Sequence, residues 1–105
     1  MKTASVRCFL ILANVLLLAS IAVAEEIPQS ALDNDYRECL VSATEVGASD
    51  VLAQRYCECA IAEIAKLDLE THTRYSREAQ ADDLSADAQE FANNVAEKCN
   101  AQLAQ

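Results

Sequence analysis

Arg55 to Ala60 reads RYCECA, two cysteines one residue apart in a stretch surrounded by helix formers. Each residue of a helix advances by about 100°, so Cys57 and Cys59 point about 200° apart and cannot bond to each other while the helix is intact. Each thiol must face a different neighbour. A helix with anchors on two sides belongs between two partners, at the centre of a bundle.

The rest of the chain agrees with a helical reading. Gly47 and Pro28 are its one glycine and one proline, too little punctuation for β-hairpins, while alanine, leucine, glutamate and glutamine abound. We expect an all-α fold: a small disulfide-stapled bundle of three to four helices in a single domain over residues 30–105, with Cys57 and Cys59 on the central helix. Glu25 to Gln29 reads as a mobile acidic lead-in. The first helix is expected from Ser30, with Asp33 three residues on as an approximate capping box. Leu32, Tyr36, Cys39, Leu40, Ala43 and Val46 form its apolar stripe, and Gly47 ends it, free to take the left-handed conformation. Ser49 caps a second helix over residues 50–67. Its apolar rows are Leu52, Tyr56, Cys59 and Leu67 on one side, with Glu63 as a polar exception, and Ala53, Cys57, Ala60 and Ile64 on the other. A thin stripe of Leu69, His72, Tyr75 and Ala79 predicts a short helix within residues 68–81. After the polar break ADDLS, Ser85 and Asp87 start the last helix, the hydroxyl capping and the carboxylate facing the positive end of the dipole. Its stripe is Ala88, Phe91, Ala92, Val95, Cys99 and Leu103.

The N-terminus has the layout of a secretory signal over residues 1–24. Lys2 and Arg7 precede an apolar run from Cys8 to Ala19, and Ala22 and Ala24 supply the small residues of a cleavage site expected after Ala24. That run falls short of the roughly 20 residues of a membrane span, and Glu25 and Glu26 follow the site at once. No membrane association is expected after cleavage, and a secreted or periplasmic location is. Removing 24 of the 105 residues leaves 81, with six basic residues against 17 acidic ones, a formal charge of −11. Such a surface repels nucleic acid and anionic lipid, and it keeps a small domain in solution.

Cys8 leaves with the signal, and Cys39, Cys57, Cys59 and Cys99 remain. An even count in a short exported chain reads as a disulfide framework. For a hairpin turning near Ala48, the level positions are Val46 with Asp50, Ala43 with Ala53, Cys39 with Cys57, and Tyr36 with Ala60. The alanines permit the close approach a disulfide needs. This favours Cys39 to Cys57 and leaves Cys59 for Cys99. The alternative, Cys39 to Cys59 and Cys57 to Cys99, needs only a modest rotation of the hairpin and stays open.

Other chemistries fit the pattern less well. A working dithiol wants an exposed thiol beside a cation or a helix N-terminus, whereas Glu58 stands between these two and both lie on apolar rows. A four-thiolate zinc site uses paired cysteine knuckles, and Cys39 and Cys99 stand alone. No metal or other cofactor is therefore expected. His72 is the single histidine, with no serine or thiol at a recognisable catalytic spacing, so no catalytic residue is assigned. Asp82, Asp83, Asp87 and Glu90 lack the spaced loop and glycine of a calcium site.

The order of a cysteine after Tyr36, Tyr56-Cys57-Glu58-Cys59, and a distant Cys99 resembles that of small exported bacterial helical proteins, a group of uncharacterised domains. The resemblance spans Tyr36 to Cys99 and implies an exported helical domain with no activity to transfer. The expected function is a non-enzymatic binding or interaction module, of inhibitor, immunity or chaperone type, with a protein partner. The alternative is a periplasmic thiol redox or metal-handling protein that uses Cys57 and Cys59 directly.

Overall fold

The computed structural model describes residues 25–104, so the signal-like segment and its cleavage point after Ala24 lie outside the described residues. Four helices follow one another: α1 Gln29–Glu45, α2 Asp50–Ile64, α3 Leu69–Gln80 and α4 Ala86–Leu103. Among the described residues the one β-type pairing is an isolated antiparallel bridge between Glu26 and Asp68. The fold is thus a small all-α bundle stapled by two disulfides. Its centre is α2, which packs closely against α1 on one side and α4 on the other.

The α1–α2 turn follows from Gly47. It takes φ +94°, a conformation open to glycine because it has no Cβ. The Gly47 N–H donates to Thr44 O and the Ala48 N–H to Ala43 O, both at 3.0 Å, which closes α1 with a Schellman turn. Ser49 then caps α2, its hydroxyl accepting from the Leu52 N–H at 3.3 Å. Three residues after Gly47 the chain is already running antiparallel to α1.

Several local expectations are corrected. α1 begins at Gln29 behind Pro28, with no side-chain cap; Ser30 lies inside the helix, and Asp33 accepts from the Gln29 side-chain amide at 2.9 Å. Proline fits here because it sacrifices no helical N–H, while its carbonyl accepts from Ala31 and Leu32. The lead-in expected to be mobile is anchored: Ile27 is buried, and the Leu69 N–H donates to Glu25 O at 2.9 Å. The same attachment explains why α2 stops at Ile64 rather than Leu67. Lys66 and Leu67 bond back to Glu63 and Ile64 in tight turns, and Asp68 turns extended to pair with Glu26 and to cap α3, accepting from the Thr71 N–H at 2.7 Å.

At the far end of α3, Asp82 adopts φ +53° and does with an aspartate what Gly47 does with a glycine. Its N–H bonds to Ala79 O, and that of Asp83 to Glu78 O. Ser85 precedes α4 but its hydroxyl makes no cap bond, because Arg74 and Glu78 engage it instead.

The core is thin. Its buried apolar residues are Ile27, Ala53, Cys57, Ala60, Ala88 and Cys99, and the largest fully buried side chains are Cys57 and Cys99 themselves. Tyr36, Tyr56 and Phe91, expected in the core, are only partly covered. Where the expected stripes placed Val46 and Leu52 inward, Val46 is 86% exposed and Leu52 43% exposed. Val46 falls just past the last turn of α1, as its C-cap, so no neighbouring helix reaches it.

Cys39 is bonded to Cys57 with Cα atoms 5.8 Å apart, and Cys59 to Cys99 at 5.6 Å. With so little apolar burial the bonds carry much of the stability. The Cys39→Ala/Cys57→Ala variant should lose about 3 kcal/mol for its separation of 18 residues, and Cys59→Ala/Cys99→Ala about 4 kcal/mol for its separation of 40. Urea unfolding followed by circular dichroism measures both, and fully reduced protein should be unfolded without urea.

Candidate functional site

The four cysteines expected as staples are committed to two bonds. Cys57 is fully buried and bonded to Cys39, and Cys59 is bonded to Cys99, so RYCECA offers no free thiolate. Glu63, the polar exception on its row, reaches across to α4. Lys98 pairs with one of its oxygens, and Lys66 donates to both at 3.0 and 3.1 Å. The Lys98 hydrogen bond, then that of Lys66, holds the Glu63 carboxyl below its usual range, and Glu63 in turn raises Lys98. This ion cluster lies one turn from the Cys59 to Cys99 bond and fixes the same helix pair.

α3 is tied down by polar side chains more than by apolar contact. Nε2 of His72 lies 2.6 Å from Oδ2 of Asp35 on α1, with the ring N–H donating to the carboxylate. On its other flank Arg74 forms a two-pronged pair with Asp87 on α4, and also donates to Ser85 Oγ at 3.1 Å and to Glu78 at 3.4 Å. Glu78 receives the Ser85 N–H at 3.0 Å. The Tyr75 ring packs on Phe91 with centroids 5.6 Å apart, lies 4.9 Å below the Arg74 guanidinium, and donates its hydroxyl to Asp87 at 3.2 Å. Arg74 holds the Asp87 carboxyl far below the ordinary aspartate range, and burial, then Asp87, pushes the Tyr75 phenol up. His72 is thus spent as a tether. The expected stripes held Tyr75 and Phe91, which meet, but sequence reasoning missed Asp35 and Arg74 because their partners lie far away along the chain.

These contacts close only one end of the bundle. At about 1.5 Å per residue, α3 is about 18 Å long against about 26 Å for α1 and 27 Å for α4. Its partners Asp35, Asp87 and Phe91 all lie in the N-terminal halves of those helices. The C-terminal halves flank an open cleft of about 460 Å³ whose floor is the start of α2. Ala43 and Val46 form one wall, Asn100 and Leu103 the other, and Leu52, Ala53 and Tyr56 the floor. Cys39, covalently held to the floor by Cys57, is among the lining residues, so a staple sets the width of the cleft. Its lining is chiefly apolar, with Ser42, Asn100 and Tyr56 as polar points.

Among the described residues no group of three or more histidine, cysteine, aspartate or glutamate side chains converges to hold a metal ion, and no helix is long and apolar enough to cross a membrane. No protein-family model matches the chain, nor does any curated protein or any solved structure.

Two measurements check the α3 clamp. His72→Ala removes the hydrogen bond from α3 to Asp35 on α1 and should cost about 1 to 2 kcal/mol in urea unfolding, with helicity retained. The Arg74–Asp87 pair has a pH signature. A carboxyl depressed in the folded state lends stability that is present above its unfolded value and is lost as pH falls towards the folded one, because the unfolded chain takes the proton first. Asp87→Asn should therefore be less stable than the wild type above the ordinary aspartate value of 3.8, and the difference should shrink steadily in more acid solution.

Proposed function

We propose that this chain is an exported, non-enzymatic binding module, of inhibitor, immunity or chaperone type, that presents the cleft between α1 and α4 to a protein partner. The observation that carries this reading is the division of labour among its side chains. The cysteines, the single histidine and Arg74 are engaged in holding the scaffold: four cysteines in disulfides, His72 on Asp35, and Arg74 on Asp87. Between α1 and α4 an apolar cleft stays open, with exposed Val46 on its wall and Leu52 on its floor. Exposed apolar surface costs solubility, and a protein that keeps it in a rigid concave form has a use for it.

An oxidising compartment suits the two disulfides. Together with the signal-like residues 1–24, this supports a secreted or periplasmic location. Rigidity favours binding, since a cleft braced by covalent bonds loses little conformational freedom when it is filled.

Thiol alkylation of the purified exported protein, read by intact mass and peptide mapping, tests the proposal. Native protein, and protein denatured without reductant, should gain no adduct, and reduction should expose four sites. An adduct on Cys57 or Cys59 in the native protein, or metal released on reduction, would turn RYCECA into the working site and replace the binding module with a thiol redox or metal-handling protein.

A further inference from the structure

We infer that the occupant of the cleft is a cationic amphipathic helix of a partner protein. The inference rests on the binding reading above and names the chemistry of the partner.

The direction of the helices supplies the first argument. α1 and α2 form an antiparallel hairpin, and α4 is antiparallel to α2, since Cys99 meets Cys59 while Leu103, further along, meets the cleft floor at Leu52 and Ala53. α1 and α4 therefore run parallel, and both C-termini stand at the cleft. Each brings the negative end of a helix dipole, which a lysine or arginine in the last turn ordinarily offsets. Neither α1 nor α4 has a basic residue there.

The side chains beside the cleft add to the same sign. Glu45 adjoins Val46 and Glu97 precedes Asn100 by one turn, while Asp50, between Ala48 and Leu52, offsets the positive end of the α2 dipole that also stands there; all three are exposed. No ion pair engages any of them among the described residues. Arg55 is the one basic residue on α2. An apolar floor ringed by negative charge complements an apolar stripe flanked by cations.

The chain also shows how such a helix sits. α3 rests on the N-terminal halves of α1 and α4 with Tyr75 against Phe91, while His72 meets Asp35 on one side and Arg74 meets Asp87 on the other. An apolar contact flanked by ion pairs seats α3, and the partner helix proposed for the cleft has the same character. A second copy of this chain is the poorer occupant, because pairing would bring two acidic rims together.

The test is fluorescence anisotropy of a labelled leucine/lysine peptide of about 14 residues, apolar at i, i+3, i+4 and i+7, titrated with the intact oxidised protein. Controls are a scrambled peptide of the same composition and a leucine/glutamate peptide of the same pattern. The patterned cationic peptide should bind and the two controls should not. Val46→Ser/Leu52→Ser, which alters partly exposed side chains and should keep the helicity of the wild type, should weaken binding about tenfold or more. Glu45→Gln/Asp50→Asn/Glu97→Gln should weaken it about three- to tenfold and flatten its salt dependence. Equal binding of the scrambled peptide, or affinity unchanged in both variants, would overturn the proposal in favour of unspecific charge attraction. Uptake of the neutral dye Nile red by wild type, lost in Val46→Ser/Leu52→Ser, with no peptide binding, would overturn the partner class and leave the cleft as a binding site. Failure of both dye and peptide would remove the cleft reading as well. Dimerisation in sedimentation, with amide shifts at Leu52 and Leu103, would make a second copy the occupant and overturn the proposal.

Discussion

Two thiols on opposite faces of α2, each bonded to a different helix, set the frame on which everything else hangs. Ordering a chain costs about 1 to 2 kcal/mol of backbone entropy per residue, and burial of apolar side chains ordinarily offsets it. Here burial is meagre: small residues line the α2 interfaces, and the fully buried side chains of greatest volume are Cys57 and Cys99. The small residues and the disulfides imply each other. Cα separations of 5.8 and 5.6 Å require helices in close approach, which Ala53, Ala60 and Ala88 allow and larger residues would prevent.

Since alanine contacts leave little apolar adhesion, the remaining helix is attached by other means. α3 reaches its neighbours through long polar side chains, His72 to Asp35 and Arg74 to Asp87, with the Tyr75–Phe91 contact between. Charged hydrogen bonds of this sort demand particular geometry and so fix orientation as well as proximity. They act near one end of the bundle. α3 makes these contacts at the N-terminal halves of α1 and α4, and the cleft over Leu52, Ala53 and Tyr56 remains between their C-terminal halves.

That remainder links architecture to the proposed function. Covalent bonds hold the cleft walls at a fixed separation, and two helix C-termini without a basic residue in their last turns give it a sign. A scaffold built this way can carry exposed Val46 and Leu52 without collapsing over them, because the staples oppose the rearrangement that would bury those side chains.

The sequence by itself determined the helical class, through the scarcity of glycine and proline, and the central place of α2, through the 200° between Cys57 and Cys59. It also marked the turn at Gly47 and the cap at Ser49, since both depend on bonds between residues at most five apart. Tertiary structure decided what depends on distant partners. The bridge from Glu26 to Asp68 ended α2 at Ile64 and anchored a lead-in that composition alone presents as loose. Arg74 and Glu78 took the Ser85 hydroxyl from its cap, and Asp35 took His72. Apolar periodicity assigns Val46 and Leu52 to a buried face, but burial requires a neighbour packed on that face, and α3 is bonded to α1 and α4 elsewhere. The cleft was illegible for that reason: a local pattern names the face of a helix, and only the lengths and placement of the other helices determine whether that face is covered.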